Sequence, residues 1–193
     1  MVKYSFIDII RNALSLIYTK CFFPKARLIR WPLYRSGAMF KYGKGLTLGR
    51  GCRIDVGDDG NALVIGENAR IGDYVHINAE KQITIGNNVL MASHVFITDA
   101  SHGVYTGICQ SKPDSNPSQR ELMLKSVKIG NNVWIGEHVV ILQGTEIGDG
   151  CIIGANSVVP GISIPSNTIV GGVPAHIIKL YNNTSNSWDR YSS

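Results

Sequence analysis

His102 is the side chain in this 193-residue chain best placed to do chemistry. It follows the run Ile97-Thr98-Asp99-Ala100-Ser101, at the root of a long polar, proline-bearing segment. Imidazole is the side chain best matched to accepting a proton near neutral pH, so the position suits a general base. A solitary loop histidine can equally be a solvated bystander, and the pattern around it has to decide. Of the other four histidines, His76 precedes an inward aliphatic and could face a ligand or cap a corner. His94 and His138 stand where Asn or Asp stands in sister segments, and His176 lies near the C-terminal end. These three read as structural.

The pattern that surrounds His102 has a period of six. Ile129-Gly130, Ile135-Gly136, Ile141, Ile147-Gly148, Ile153-Gly154 and Val159 form one run. Ile65-Gly66, Ile71-Gly72, Ile77, Ile85-Gly86, Met91 and Ile97 form two shorter ones. Helices repeat every three to four residues and half-buried strands every two, so a step of six needs a backbone that turns a corner each time. Such hexapeptide repeats build a parallel β-helix, with three short faces per coil and coils stacked at about 4.8 Å. Four residues after each aliphatic comes a small or β-branched side chain, among them Ala69, Val75, Val133, Thr145, Cys151 and Ser157, which suits a narrow interior. Asn87-Asn88 and Asn131-Asn132 suit corners that need positive φ.

The repeat breaks most widely after Ile97. Ile97 and Ile129 are thirty-two residues apart, not a multiple of six, and the residues between carry Lys112-Pro113-Asp114-Ser115-Asn116-Pro117. Proline and polar residues at that density predict an extruded loop over 99–126, and long loops on rigid scaffolds carry function. The predicted organisation is a lead-in over 1–45, a hexapeptide β-helix over 46–176 and a short C-terminal tail over 177–193. Catalytic zinc is not expected, because the nearest histidine pair, His94 and His102, is eight residues apart with the loop intervening.

Composition bounds the setting. The four cysteines form no CxxC pair, which suits a reducing cytoplasm. Asp8 and Arg11 interrupt the N-terminal apolar stretch, so neither a signal peptide nor a membrane span is expected. Residues 1–50 hold ten Lys or Arg against Asp8 alone, a net of +9 on a chain whose total is +5. Within them, Ser5 to Phe23 predicts a helix with a polar stripe of Asp8, Asn12, Ser15 and Thr19 and a wide apolar arc. That arc would pack on the β-helix end or another subunit, or lie on an anionic inner-membrane surface beside Lys20, Lys25, Arg27 and Arg30. No nucleic-acid partner is expected.

Together the residues resemble a known family. Ile97 to Gly103, the proline-bearing loop, Val127 to Gly136 with Trp134, Ile153 to Val158 and Gly171-Gly172-Val173-Pro174-Ala175 are similar to the hexapeptide-repeat O-acetyltransferases. Leu28 to Pro32 and Asp73 to Ile77 are similar to the N-terminal parts of bacterial lipopolysaccharide and capsule O-acetyltransferases. The resemblance implies an all-β, left-handed parallel β-helix, against the usual right-handed crossover. It also implies a homotrimer with active sites between subunits, acetyl-CoA as donor, and direct transfer to a sugar hydroxyl with His102 as base. Asp99 or a backbone carbonyl would orient the ring. Backbone N–H groups around Glu137 would hold the oxyanion, Trp134 would lie near the donor, Ala155 would contact the pantetheine arm and Lys179 would meet the nucleotide phosphates. Asn78 would bind the acceptor. Pro160-Gly161 replaces a frequent Thr-Lys, His176 a frequent Lys or Arg, and Ala100 stands where related chains often have another histidine. The alternatives are an acetyltransferase of a soluble sugar, amino sugar or drug, and a non-enzymatic trimeric scaffold.

Overall fold

The computed structural model describes residues 5–35, 39–58 and 60–192. After one helix, α1 (Phe6–Phe22), the chain winds into a solenoid whose short strands stack into three parallel faces. The first face begins with Leu28–Ile29 and Thr47–Leu48, passes through Trp134–Ile135 and Ile152–Ile153 and reaches Thr168–Gly171. The second runs from Leu33–Arg35 through His76–Ala79 and Phe96–Thr98 to Val158–Val159, and the third from Lys41–Tyr42 to Ser163–Ile164. With its hexapeptide repeats, the solenoid is a left-handed β-helix.

Register follows the hexads. On the first face Met91 stacks on Ile71 and Ile135, and Ile135 stacks on Ile153, so like positions pile into columns. Those aliphatics are buried, as are the small residues four positions on, including Ala69, Val75, Val133 and Ser157. The inward polar groups are hydrogen-bonded to corner carbonyls, as burial requires: Thr145 Oγ1 to Leu142 (2.7 Å), Ser157 Oγ to Gly154 (2.6 Å) and Cys151 Sγ to Pro165 (3.1 Å).

The corners require left-handed backbone, which costs an ordinary L-residue about 1–2 kcal/mol. Asn88 and Asn132 both adopt φ 56°, and side-chain amides link Asn68 to Asn88 (3.3 Å) and Asn88 to Asn132 (3.2 Å) in a ladder. His94 (φ 58°) and His138 (φ 56°) occupy the corner between the first and second faces, their rings stacked 4.8 Å apart below Tyr74. These two histidines are structural, as their spacing predicts.

Both ends of the solenoid differ from the sequence expectation. The lead-in already contains the first coil, since Leu28–Ile29, Leu33–Arg35 and Lys41–Tyr42 pair with the coil that follows. Phe23 and Phe40, in contact with Tyr34 and Tyr42, plug its open end. At the other end the residues read as a tail form strands His176–Asn182 and Ser187–Arg190, which add antiparallel to Thr168–Gly171. An exposed strand edge invites pairing with other chains, and this hairpin covers one.

α1 is docked with its polar stripe inward. Thr19 and Ser15 are buried while Phe6, Ile17 and Phe22 are exposed. The Thr19 hydroxyl accepts the edge N–H of Ile29 (2.8 Å) and donates to the Ser15 carbonyl (2.6 Å), and Arg50 donates to Asp8 (3.1 Å). The edge strand thus meets one helix hydroxyl, that of Thr19, and the apolar arc faces away from the solenoid.

Thiol chemistry provides a test of this burial. Cys21 and Cys109 are exposed, whereas Cys52 and Cys151 are buried, and burial pushes the Cys52 thiol up to about 11. Titration with a disulfide reagent at pH 8 should modify Cys21 and Cys109 in the native protein and reach Cys52 and Cys151 only after denaturation.

Candidate active site

The break in the repeat is an excursion from the corner between the second and third faces. Ile85 stacks on Ile129, forty-four residues on, whereas Ile129 stacks on Ile147 after eighteen. The excess residues leave the coil as a hairpin in which Ala100–His102 pairs with Leu122–Leu124, His102 opposite Leu122. His102 sits at the exposed end of that short ladder.

Three side chains fix the root of this hairpin. Gln143 of the next coil donates to Ser101 Oγ (3.0 Å), and the Tyr105 hydroxyl donates to the His102 carbonyl (2.6 Å). Arg120 in turn donates to the Tyr105 hydroxyl (2.8 Å), to Ser115 Oγ (2.9 Å) and to the Ser115 carbonyl (2.8 Å). A loop of this length would otherwise be free to move, and a planar guanidinium with several acceptors holds it in one shape. Arg120, Tyr105 and Gln143 have no hexad signature, and only the fold shows that they converge beneath His102.

Asp99 bonds to the preceding coil. Its buried carboxylate accepts the backbone N–H groups of Glu80 (2.8 Å), Lys81 (2.8 Å) and Gln82 (2.6 Å), which clamps the turn of the preceding coil. The carboxylate is turned to that coil, and among the described residues Asp99 makes no bond to the His102 ring. Among the described residues, no side chain or carbonyl of this chain hydrogen-bonds that ring.

Asn78 and His76 lie on the second face, beside the strand that leads into the hairpin. Asn78 donates to Thr98 Oγ1 (3.4 Å), and Thr98 also bonds the Ala100 backbone (3.2 Å). His76 Nε2 lies 3.1 Å from Asp55 Oδ2, its ring against Phe96, and Arg53 donates to the same carboxylate oxygen (2.6 Å). Asp55 had no sequence signal of its own. Its register with Asn78, and that of Arg53 with His76, appears only once the coils are stacked.

The remaining candidates gather around the first face. Trp134 is half exposed, in register between Leu90 and Ile152, and Lys179 lies on the C-terminal hairpin opposite Ile169 of the same sheet. Glu137 and Ala155 are exposed on the corner between the first and second faces. Along that corner each side chain accepts the N–H of the equivalent residue one coil earlier: Asp73 from Arg50 (2.7 Å), Ser93 from Asp73 (3.2 Å) and Glu137 from Ser93 (3.4 Å). The next rung is Ala155, whose methyl group cannot accept. The backbone N–H groups of Glu137 and Ala155 therefore have no partner among the described residues. On the opposite corner the equivalent ladder continues through Asn87, Asn131, Asp149 and Ser166 without a gap. Gly136 keeps the broken rung tight, since a Cβ there would lie 2.6 Å from the Ala155 nitrogen. Free amides at an exposed corner are the donors that an oxyanion or a ligand carbonyl can use.

Replacing Asp99 with alanine should leave three inward N–H groups without an acceptor. A loss of about 3 kcal/mol or more is expected, read as a lower denaturant midpoint. A catalytic orienter at an exposed ring would instead lower turnover at nearly constant stability.

Comparison with known proteins gives the family. Residues 126–161 match the family model "Bacterial transferase hexapeptide (six repeats)". The chain is 41% identical over 190 residues to the "Putative lipopolysaccharide biosynthesis O-acetyl transferase WbbJ" of Escherichia coli K12, covering 97% of this chain and 96% of that protein. It is 37% identical over 123 residues to the galactoside O-acetyltransferase of the same organism, covering 64% of this chain and 56% of that one. Among solved structures, the hexapeptide-repeat acetyltransferase VCA0836 of Vibrio cholerae, complexed with acetyl coenzyme A, superposes with a TM-score of 0.58 at 31% identity, covering 75% of this chain and 73% of that chain. A hexad solenoid, its long excursion at His102 and 41% identity to an acetyltransferase over nearly the whole chain lead to one conclusion: the chain belongs to the hexapeptide-repeat acetyltransferase family and is an acyltransferase.

Proposed function

We propose that this chain transfers an acetyl group from acetyl-CoA to a sugar hydroxyl of a bacterial surface polysaccharide such as an O-antigen or capsule. It would work in the cytoplasm as a homotrimer, with peripheral contact to the inner membrane. The observation that carries the transfer reading is the placement of its two halves. The free amides of Glu137 and Ala155 sit on the corner between the first and second faces, and His102 sits at the corner between the second and third. One face is about six residues wide, or roughly 20 Å at strand rise. A base and an oxyanion donor must both lie within hydrogen-bond reach of one reacting centre, which a single chain of this shape cannot arrange. A neighbouring copy supplies the missing half, as three-fold packing of triangular rods allows.

In that shared cleft, His102 accepts the acceptor's hydroxyl proton as the sugar oxygen bonds to the acetyl carbonyl carbon. An alcohol is far too weak an acid to be ionised by imidazole beforehand, so proton transfer accompanies bond formation. The N–H of Glu137 stabilises the negative charge that moves onto the carbonyl oxygen. When the carbon–sulfur bond breaks, the proton on His102 passes to the departing sulfur, giving the ester and free coenzyme A thiol. The Glu137 side chain serves the corner ladder rather than the reaction, Trp134 lines the donor side, and Ala155 and Lys179 hold the pantetheine and phosphate portions. Asn78 and His76, the latter set by Asp55, face the acceptor.

The lipopolysaccharide-biosynthesis name of the Escherichia coli relative, aligned over nearly the whole chain, supports a polysaccharide acceptor. A soluble sugar is the second reading, supported by the identity to the galactoside enzyme. Mass spectrometry of the cell's polysaccharide with and without the protein separates the two. Only the first predicts loss of an acetyl mass from the glycan.

Two substitutions test the transfer reading. His102→Ala should lower turnover about 100-fold or more with acetyl-CoA binding retained, measured by thiol release and calorimetry. Ala155→Asp should complete the corner ladder by capping the Glu137 amide. It should leave stability unchanged or raise it by about 1 kcal/mol while abolishing most of the turnover.

A further inference from the structure

The reversed seating of α1 leaves an apolar surface with no partner among the described residues. Phe6 (77% exposed), Ile9, Ile17 (63%) and Phe22 (62%) point away from the solenoid, and Trp31 and Leu33 of the first coil extend the patch. A soluble surface helix normally buries that face and shows its polar one. Here the polar stripe is used inward, by Thr19 on the edge strand and by Asp8 on Arg50. Large contiguous apolar patches mark sites of interaction.

Cations surround this patch on both sides. Between the helix and the first two coils lies a cavity of about 280 Å³ lined by Arg11, Arg30 and Arg50 together with Leu14, Ser15 and Trp31. Along the other flank, Lys20, Lys25, Arg27 and Lys44 line an open groove, with Glu67 the one acid among its lining residues. The one acid of α1, Asp8, is already bound to Ser5 and Arg50. A second copy placed symmetrically on this face would bring like charges together with few carboxylates to answer them. An anionic lipid surface would satisfy both features at once, apolar residues in the acyl boundary and guanidinium or ammonium groups at the phosphates. No helix of the described residues is long and apolar enough to cross a membrane, so the geometry is that of a helix lying in the interface.

We propose that the outward face of α1 and its flanking cations form a docking surface for an anionic phospholipid bilayer, with the three-arginine cavity receiving a lipid phosphate. This specifies the surface behind the peripheral membrane contact proposed above, and it does not depend on the identity of the acceptor. The N-terminal end of the solenoid would face the membrane, and α1 would be held flat by its own polar contacts with the first coils.

The test is co-sedimentation of the full chain with vesicles of phosphatidylglycerol and phosphatidylethanolamine, and with neutral phosphatidylcholine vesicles. Wild type should bind the anionic vesicles and lose binding in high salt. Ile9→Glu/Ile17→Glu, both at exposed positions, should weaken binding by on the order of tenfold or more. Lys20→Glu/Lys25→Glu should weaken it by roughly fivefold or more per charge. Circular dichroism, oligomeric state by light scattering and acetyl-CoA binding should match wild type in both variants, which separates failure of docking from failure of the enzyme. Equal binding by wild type and both variants, or no wild-type binding to anionic vesicles, would overturn the proposal. A change of oligomeric state in Ile9→Glu/Ile17→Glu would also overturn it, because it would assign the face to a second copy.

Discussion

Everything in this molecule depends on stacking like upon like at one strand spacing. Each coil must place an aliphatic above an aliphatic on every face, and each corner must repeat its left-handed turn. The backbone alone does not enforce this, since a turn of that hand is costly for most residues. The corners are held by ladders of their own: amide to amide through Asn68, Asn88 and Asn132, ring on ring through Tyr74, His94 and His138, and side-chain oxygen to amide along two edges. Burial of the aliphatic columns supplies the driving force, and the ladders supply the register.

Function appears where this repetition is interrupted. Ala155 removes one acceptor from a corner ladder and frees an amide of the kind that three earlier coils on that edge hand to their neighbours. The excursion after Asp99 breaks the column, and Asp99 repairs the break from inside by accepting the three N–H groups of the turn beneath. Both departures are small in sequence. In a rod this uniform, a single missing oxygen is enough to leave a corner with free donors.

How much was legible in the sequence follows from the same logic. The period of six, the small inward residues and the corner histidines could be read because each is a local rule repeated many times. The long excursion was visible as a spacing that six does not divide. The clamp made by Asp99 was not legible because its partners, Glu80 to Gln82, lie one coil away and share no motif with it. The sequence left the apolar arc of α1 open between the β-helix end, another subunit and a membrane surface, and the structure removes only the first. An amphipathic helix ordinarily buries its apolar arc, and nothing local announces that Ile29 needs a hydroxyl for its edge N–H. The C-terminal hairpin was missed because residues 176–190 carry no hexads, although a solenoid must close its last edge somehow. Arg120 and Asp55 belong to contacts between distant segments, which pattern reading cannot supply.

The central claim is that His102 and the free corner amides act together only across two copies of the chain. Subunit mixing tests this most directly. His102→Ala and Ala155→Asp should each be inactive alone. When they are co-refolded in equal amounts, about a quarter of the clefts should combine an intact histidine with an intact amide corner, so activity should return to about a quarter of wild type. No recovery from a mixture shown by mass to contain mixed oligomers would contradict the account and place both halves of the reaction within one chain.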